Sequence, residues 1–408
     1  MASPSLYQVD LDPDSALDAV KSGGTILLVD VPPGTCIGID HNAFAVGEKF
    51  VGVKMVPPGV HFISSSSGDS QGGFAPVVGF FVHVRPGDIV VRRWNKEEEM
   101  LVGMEGGESE EEGYKRGVLN FDFDSGLAPY DLRGWKKWRG LSEFITEEIV
   151  ERVSPVGGCM SVMGEGIKMD VNGSTVAERA LLEQLGKGRV DLKDAGVEGK
   201  VSGNLGGRCF YTKIHSFARS TELTGSELTA IHLDKSPILE SVLTSKFSAD
   251  PDGLLGELQF AFVSFVMCQS LQGLQQWKSI LGLMLGCEHA CLDTHRDLFV
   301  KFSRCVRHQL AFGLGTWTSS DSEASSSNSE GFLLEGILGD SVLDESFLKG
   351  GLMDFLGCVH EACEGESDGV DVELYGECLK IGELVKLKLN WELEDGECGE
   401  YAPVVVDL

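Results

Sequence analysis

Cations are scarce in this sequence. Lys and Arg number 34 against 63 Asp and Glu, for a formal net charge of −29. A surface that tracks phosphates needs clustered Lys and Arg, so direct sequence-specific nucleic-acid binding is not expected. Anionic membrane surfaces are disfavoured on the same ground. Long apolar runs are missing as well: the nearest, Leu258–Met267, falls well short of the roughly 18–20 residues of a membrane span. The opening MASPSLYQVDLDPDSALDAV carries three Asp within its first fourteen residues and no apolar stretch, so no secretory signal is expected. Cysteines number eleven but form no C-x-x-C pair. Without a secretion signal they are expected as reduced thiols, many in the core, in a protein of the cytoplasm and nucleus.

Recognisable catalytic motifs are missing too. No G-x-x-x-x-G-K-[ST] loop occurs and no G-x-G-x-x-G opens a helix, which removes two common nucleotide cradles. Gly68-Asp69-Ser70-Gln71-Gly72 matches the G-x-S-x-G of hydrolases, but that motif requires a strand before it and a helix after it. Here serines precede it and the strand-like GGFAPVVGFF follows. Cys287, His289, Cys291 and His295, and separately Cys358, His360 and Cys363, are metal-ligating residue types in groups. Structural zinc sites draw on short loop knuckles, and Cys is among the most buried residue types, so core thiols are the expectation. No catalytic residue, cofactor-binding residue or metal ligand is assigned. A binding protein is the leading expectation. The alternative is a serine hydrolase using Ser70, or another uncharacterised enzyme in the β-rich part; a vesicle or cargo scaffold is a third.

What is present is organised in two kinds of pattern. With 408 residues the chain exceeds the roughly 250–300 residues at which single cores stop growing. Residues 1–150 are β-rich: Thr25–Val29, Phe50–Met55, Val60–Ile63, Val77–Val84 and Asp88–Trp94 are short runs rich in Val, Ile and Phe, with Pro-Gly pairs at 33–34, 58–59 and 86–87. Pro presets one turn dihedral and Gly accepts positive φ, so each pair marks a reversal. VVGFFVHV-RPGD-IVVRRW predicts a β-hairpin, and Lys96–Gly113, dominated by acids and Gly, predicts a mobile loop. Trp135, Trp138, Leu141, Phe144 and Ile145 fit an amphipathic helix. Residues 151–222, Gly-heavy, are expected as a linker. Over 223–395 the period turns helical, with Ser236-Pro237 as N-cap and first helical residue. Leu254, Leu258, Phe262, Phe265 and Gln269 trace one stripe; Leu292, His295, Phe299, Phe302, Val306 and Leu310 trace another; so do Leu348, Leu352, Phe355, Val359 and Cys363, and then Leu374, Cys378, Ile381 and Val385. The expected fold is α+β: a β-rich sandwich or small barrel, then an all-α bundle, then a tail over 396–408.

Three segments carry a likeness: GTCIGIDHNAFAVGEKFVGVKMVPPGVHF (Gly34–Phe62), LGELQFAFVSFVMCQSLQGLQQWKSIL (Leu255–Leu281) and the terminal APVVVDL (Ala402–Leu408). Together they resemble the A1 cistron-splicing factor family, in the right order along the chain. PYDLRGWKKWRGLSEFI (Pro129–Ile145) and HRDLFVKFSRCVRHQL (His295–Leu310) add to the resemblance. It implies a non-enzymatic pre-mRNA splicing factor, an assembly chaperone of the U5 small nuclear ribonucleoprotein. Such a factor binds the large U5 scaffold protein and holds off the U5 RNA helicase. It also implies a β-rich amino-terminal and a helical carboxy-terminal domain. Within the shared motifs Phe44, Gly47, Lys54, Pro57, Pro58 and His61 are interface candidates, because loops carry function; a turn at Pro57-Pro58-Gly59 is the competing explanation.

Two further expectations come from the residues themselves. Val404, Val405, Val406, Asp407 and Leu408 follow a flexible acidic lead and favour extended backbone, so they are expected to add as a strand to a partner's sheet edge, or to fold back on the chain's own sheets. Ser320 and Ser327, each with an acid three residues on, are candidate phosphorylation sites.

Overall fold

The computed structural model describes residues 22–68, 75–104, 108–161, 207–214, 229–231, 233–248, 250–315, 346–364 and 372–391. These fall into two compact units: one runs to 161 and adds 207–214 and 241–281, and the other takes 229–240 and 282–391.

Among the described residues the short Val- and Ile-rich runs of the first unit become nine strands: β1 (Gly24–Val29), β2 (Cys36–Ile39), β3 (Asn42–Ala45), β4 (Gly52–Val56), β5 (Gly59–Ser66), β6 (Val78–Val84), β7 (Ile89–Asn95), β8 (Met100–Val102) and β9 (Leu127–Pro129). They form a five-stranded sheet of order β8-β7-β1-β4-β9 and a four-stranded sheet of order β3-β2-β5-β6. Side chains from both sheets, Ile26, Leu28, Val53, Ile37, Ile63, Phe80 and Val82 among them, make one core. The first sheet is mixed, with β1 parallel to β7 and β4 parallel to β9; the second is antiparallel throughout. A β-rich sandwich is thus the architecture of the amino-terminal part.

Two expectations are corrected here. β6 and β7 are not a hairpin. β6 pairs with β5 in one sheet, whereas β7 pairs with β1 and β8 in the other. The turn between them is tight, with Asp88 N–H donating to Arg85 O (3.0 Å) and Arg85 N–H to the Asp88 carboxylate (2.9 Å). Yet Asp88 O accepts from Thr25 N (2.8 Å), which leads the chain onto β1. The Pro-Gly turn is a corner between sheets, a geometry its local residues do not distinguish from a hairpin. The acidic stretch 96–113 is likewise not one loop. Met100 and Leu101 are buried and pair with β7, and α1 (Glu108–Leu119) begins within it. Arg93 binds Glu110 through two bonds and Tyr114 through a third, so charge pairing supplies the anchorage that apolar area does not.

Helices α2 (Trp135–Ser142) and α3 (Glu147–Val153) follow. α3 starts at Thr146, whose hydroxyl accepts Ile149 N–H (3.3 Å), a side-chain cap. After α4 (Ser236–Lys246) comes α5 (Asp252–Cys268). The capping oxygen of α4 is that of Asp234, which accepts both Ser236 N–H (2.9 Å) and its hydroxyl (2.6 Å); Ser236 is itself inside the helix. α5 departs from the expected stripe, because every residue from Gly253 to Phe265 is buried. Phe260 packs tilted against Phe81 of β6 (4.5 Å), which meets Phe62 of β5 edge-on (4.8 Å). The second sheet therefore has one face in the sandwich core and the other on α5, which is why β6 reads as a continuous apolar run.

Three polar side chains in α5 are completely buried, and all are satisfied; the Ser264 hydroxyl donates to Phe260 O (2.7 Å). Gln259 accepts from Phe144 N (2.7 Å) and donates to Gly140 O (3.1 Å). Glu257 receives Arg152 (2.7 Å), Thr212 N–H and hydroxyl (2.7 and 2.9 Å) and the Gln276 amide (2.8 Å). One carboxylate so ties α3, α5, α6 (Leu271–Met284) and the segment at 207–214 together.

The second unit is helical, with α7 (Arg296–Gly313), α8 (Gly351–Glu364) and α9 (Val372–Leu389) as its longest elements lying wholly within it. Phe299, Phe302, Val306 and Leu310, Leu348, Leu352, Phe355 and Val359, and Leu374, Cys378, Ile381 and Val385 are buried as their spacing predicts, whereas Leu292 and His295 are only half-buried and Cys363 is exposed. Phe355 of α8 sits 6.1 Å from both Phe299 and Phe302. Arg307 pairs with Glu377 (2.7 Å) and Arg304 with Glu373 (2.5 Å), joining α7 to α9.

Candidate functional site

The motif shared around Pro57 and His61 is built by strain and closed by hydrogen bonds. Opposite Gly24 and Thr25 the register of β4 gains one residue, Met55, whose φ is 63°. This bulge bends the chain into Val56-Pro57-Pro58-Gly59, which returns as β5. At the far edge the two-residue turn between β2 and β3 holds Asp40 at φ 57°, and its carboxylate is buried. Asp40 accepts His61 Nδ1 (2.8 Å), Phe62 N–H (2.9 Å) and the Tyr130 hydroxyl (2.5 Å). His61 Nε2 meets the Pro57 carbonyl (2.7 Å), and Trp135 stacks on the imidazole at 5.3 Å.

His61 is fully buried, and both its nitrogens face acceptors, so both donate and the ring is held as the cation. Burial alone would lower its pKa. The charge and hydrogen bond of Asp40 and the Pro57 carbonyl outweigh that and hold it above the ordinary histidine value. Burial, followed by the Asp40 charge, pushes the Tyr130 hydroxyl up, keeping it a donor. The Asp–His pair is not arranged as a catalytic relay: the second nitrogen, which would face a nucleophile, is bonded to a main-chain carbonyl. Its chemistry is that of a clamp on the Pro57 turn.

The other candidates separate by exposure. Phe44 is half-buried, edge-on to Phe50 at 5.5 Å. Lys54 is half-exposed and paired with Asp124 at 2.6 Å. Gly47 and Pro58 are exposed, whereas Pro57 is buried. The motif thus divides into a buried clamp and a rim of Phe44, Lys54 and Pro58. Asp40, Tyr130 and Asp124, which organise it, were not singled out from the sequence. The one available signal was an Asp in a tight turn after alternating apolar residues. Val404, Val405, Val406, Asp407 and Leu408, the serines Ser320 and Ser327, and Ser70 lie outside the described residues.

In the second unit a cavity of about 410 Å³ is bordered by Lys235, Cys287, Asp354, Phe355 and Cys358. Lys235 Nζ donates to Gly282 O (2.6 Å). Burial pushes the Cys287 thiol up to about 12 and Cys358 up to about 11, so both are protonated and poor nucleophiles. Among the described residues no three His, Cys, Asp or Glu gather to hold a metal ion, and no helix is long and apolar enough to cross a membrane.

Comparison with known proteins places these features in context. A family model described as the AAR2 N-terminal domain matches residues 22–155, and one described as the AAR2 C-terminal repeat region matches 211–394. The chain is 28% identical over 413 residues to the human Protein AAR2 homolog, covering 98% of this chain and 97% of that one. It is 32% identical over 301 residues to the Caenorhabditis elegans homolog, covering 71% and 79%. Over 277 residues it is 24% identical to the A1 cistron-splicing factor AAR2 of Saccharomyces cerevisiae, covering 66% and 72%.

Proposed function

Since the chain belongs to the AAR2 family of splicing-factor homologues, we propose that it is a non-enzymatic assembly chaperone of the U5 small nuclear ribonucleoprotein. In this role it binds the large U5 scaffold protein and holds off the U5 RNA helicase, in cytoplasm and nucleus, through protein–protein contacts. The likeness across both matched regions carries the reading. The Asp40–His61–Tyr130 cluster supports it, since the most chemically suggestive group of side chains in the first unit is internally satisfied and closed to substrate. Within this reading Phe44 and Lys54 belong to the contact surface, and His61 acts on it by fixing the Pro57 turn. Val404–Leu408 adds a strand to the partner, and phosphate at Ser320 and Ser327 loosens the complex by adding negative charge.

Affinity purification of the tagged chain tests this. U5 components, the scaffold protein above all, are expected in the eluate, with the helicase excluded; their absence would defeat the proposal. Deleting residues 402–408 is expected to weaken scaffold binding while leaving the melting temperature unchanged. A large fall in melting temperature would instead assign the tail to the chain's own fold.

A further inference from the structure

The carboxy-terminal end of α1 is closed at a double cost. Asp122 N–H donates to Gly117 O (2.9 Å) and Phe121 N–H to Val118 O (3.0 Å), the paired bonds of a Schellman ending. That ending favours glycine at its left-handed residue, yet the residue is Phe121, at φ 64°. A bulky side chain there is strained, and no burial offsets it, because Phe121 is 76% exposed and its neighbour Leu119 is 67% exposed. The turn itself is anchored. Phe123 points inward, with its ring 6.1 Å from Tyr114, and Gly126 O accepts Val51 N–H (3.0 Å). The exposed pair is thus presented on a fixed support.

We propose that Leu119 and Phe121 form an apolar anchor for a protein partner whose surface offers an apolar pocket edged by Lys or Arg. Exposed aromatics on rigid supports are what desolvated pockets take as binding hot spots. The charge around the pair selects the rim. Asp122 is exposed and has no ion pair among the described residues, and Glu112, also exposed, lies two helical turns before Leu119. Lys115 and Arg116 are the nearby cations on α1, Lys115 already paired with Glu111 (2.8 Å), in a chain of net charge −29. Such a field steers cationic surfaces inward and opposes phosphates, so nucleic acid does not fit. This anchor is distinct from the carboxy-terminal strand and rests on reading the chain as a binding protein.

Phe121→Gly separates the two costs. Removing strain is expected to raise the melting temperature by about 2–4 °C, while affinity for the purified large U5 scaffold protein falls by about tenfold or more. Asp122→Lys is expected to weaken binding further and flatten its salt dependence. If Phe121→Gly binds as tightly as the parent chain, the anchor is overturned and the scaffold reading stands. If the parent chain itself fails to bind, the scaffold reading falls, and a photo-crosslinking residue at position 121 in cells decides the anchor. An adduct mapped to an apolar pocket bordered by Lys or Arg on another protein supports it. An adduct only to the chain's own segments, one to a second copy, or none at all overturns it.

Discussion

His61 is a charge held away from water by two acceptors and a ring, and its replacement should be felt as lost folding. His61→Ala leaves the Asp40 carboxylate buried beside an empty space, and breaking such a pair costs about 3–5 kcal/mol; urea denaturation would measure it. The pH dependence has a definite sign. A histidine whose folded pKa lies above its unfolded value of about 6.5 contributes fully below that value, and its contribution fades as pH climbs through the folded pKa. Stability should therefore fall as pH rises from the unfolded value through the higher folded one, with a smaller fall in His61→Gln. Thiol reactivity follows the same local logic. Cys363 is exposed, whereas Cys287 and Cys378 are buried with thiols pushed up to about 12. Iodoacetamide at pH 8 is expected to label Cys363 and to reach the other two only on unfolding, read by peptide mass mapping. The role of His61 was not legible in its own motif. Its partner Asp40 is 21 positions away, and Tyr130 is 90 positions from Asp40; only folding shows that the three share one carboxylate.

Elements were legible where their surroundings were one-sided. α9 buries a single stripe, so a period of 3.6 residues names its core positions correctly; α7 buries Leu298, Val300 and Cys305 beside its stripe, and there the period names only part of the core. α5 defeats the same method because it is enclosed all round, and its periodicity carries no sign of Phe260, Val263 or Glu257. The β6–β7 corner was missed for the opposite reason, since turn residues report local reversal and not which sheet the chain enters next. The enclosure of α5 makes two substitutions informative. Gly256→Ala would drive a Cβ into the Phe144 carbonyl, and overpacking of this kind costs about 1–3 kcal/mol. Glu257→Ala leaves Thr212 N–H without an acceptor, the Gln276 amide with Thr212 O alone, and Arg152 without its carboxylate. Because Arg152 is 35% exposed, water recovers part of that loss, and about 2–3 kcal/mol is expected from denaturant titration.

At the scale of the whole molecule, −29 charges repel one another in the folded state, and salt screens that repulsion over a Debye length of about 10 Å at 0.1 M. Raising NaCl from roughly 10 to 150 mM is therefore expected to increase the melting temperature, even though exposed pairs such as Arg85–Glu147 weaken; a fall would mean that ion pairs dominate. The α+β division itself was readable from composition and period, because each half keeps to one pattern over long stretches.

The burial of α5 against β6 also sets a timetable for synthesis. Phe81 and Phe62 leave the ribosome long before Phe260 exists. At about 5–20 residues per second the outer face of the second sheet waits on the order of ten seconds for the helix that covers it. During that interval the nascent chain presents an apolar sheet surface that only a later segment can close, so its first protein contacts are those of a client needing protection. A fragment ending at residue 155 would remain in that state permanently.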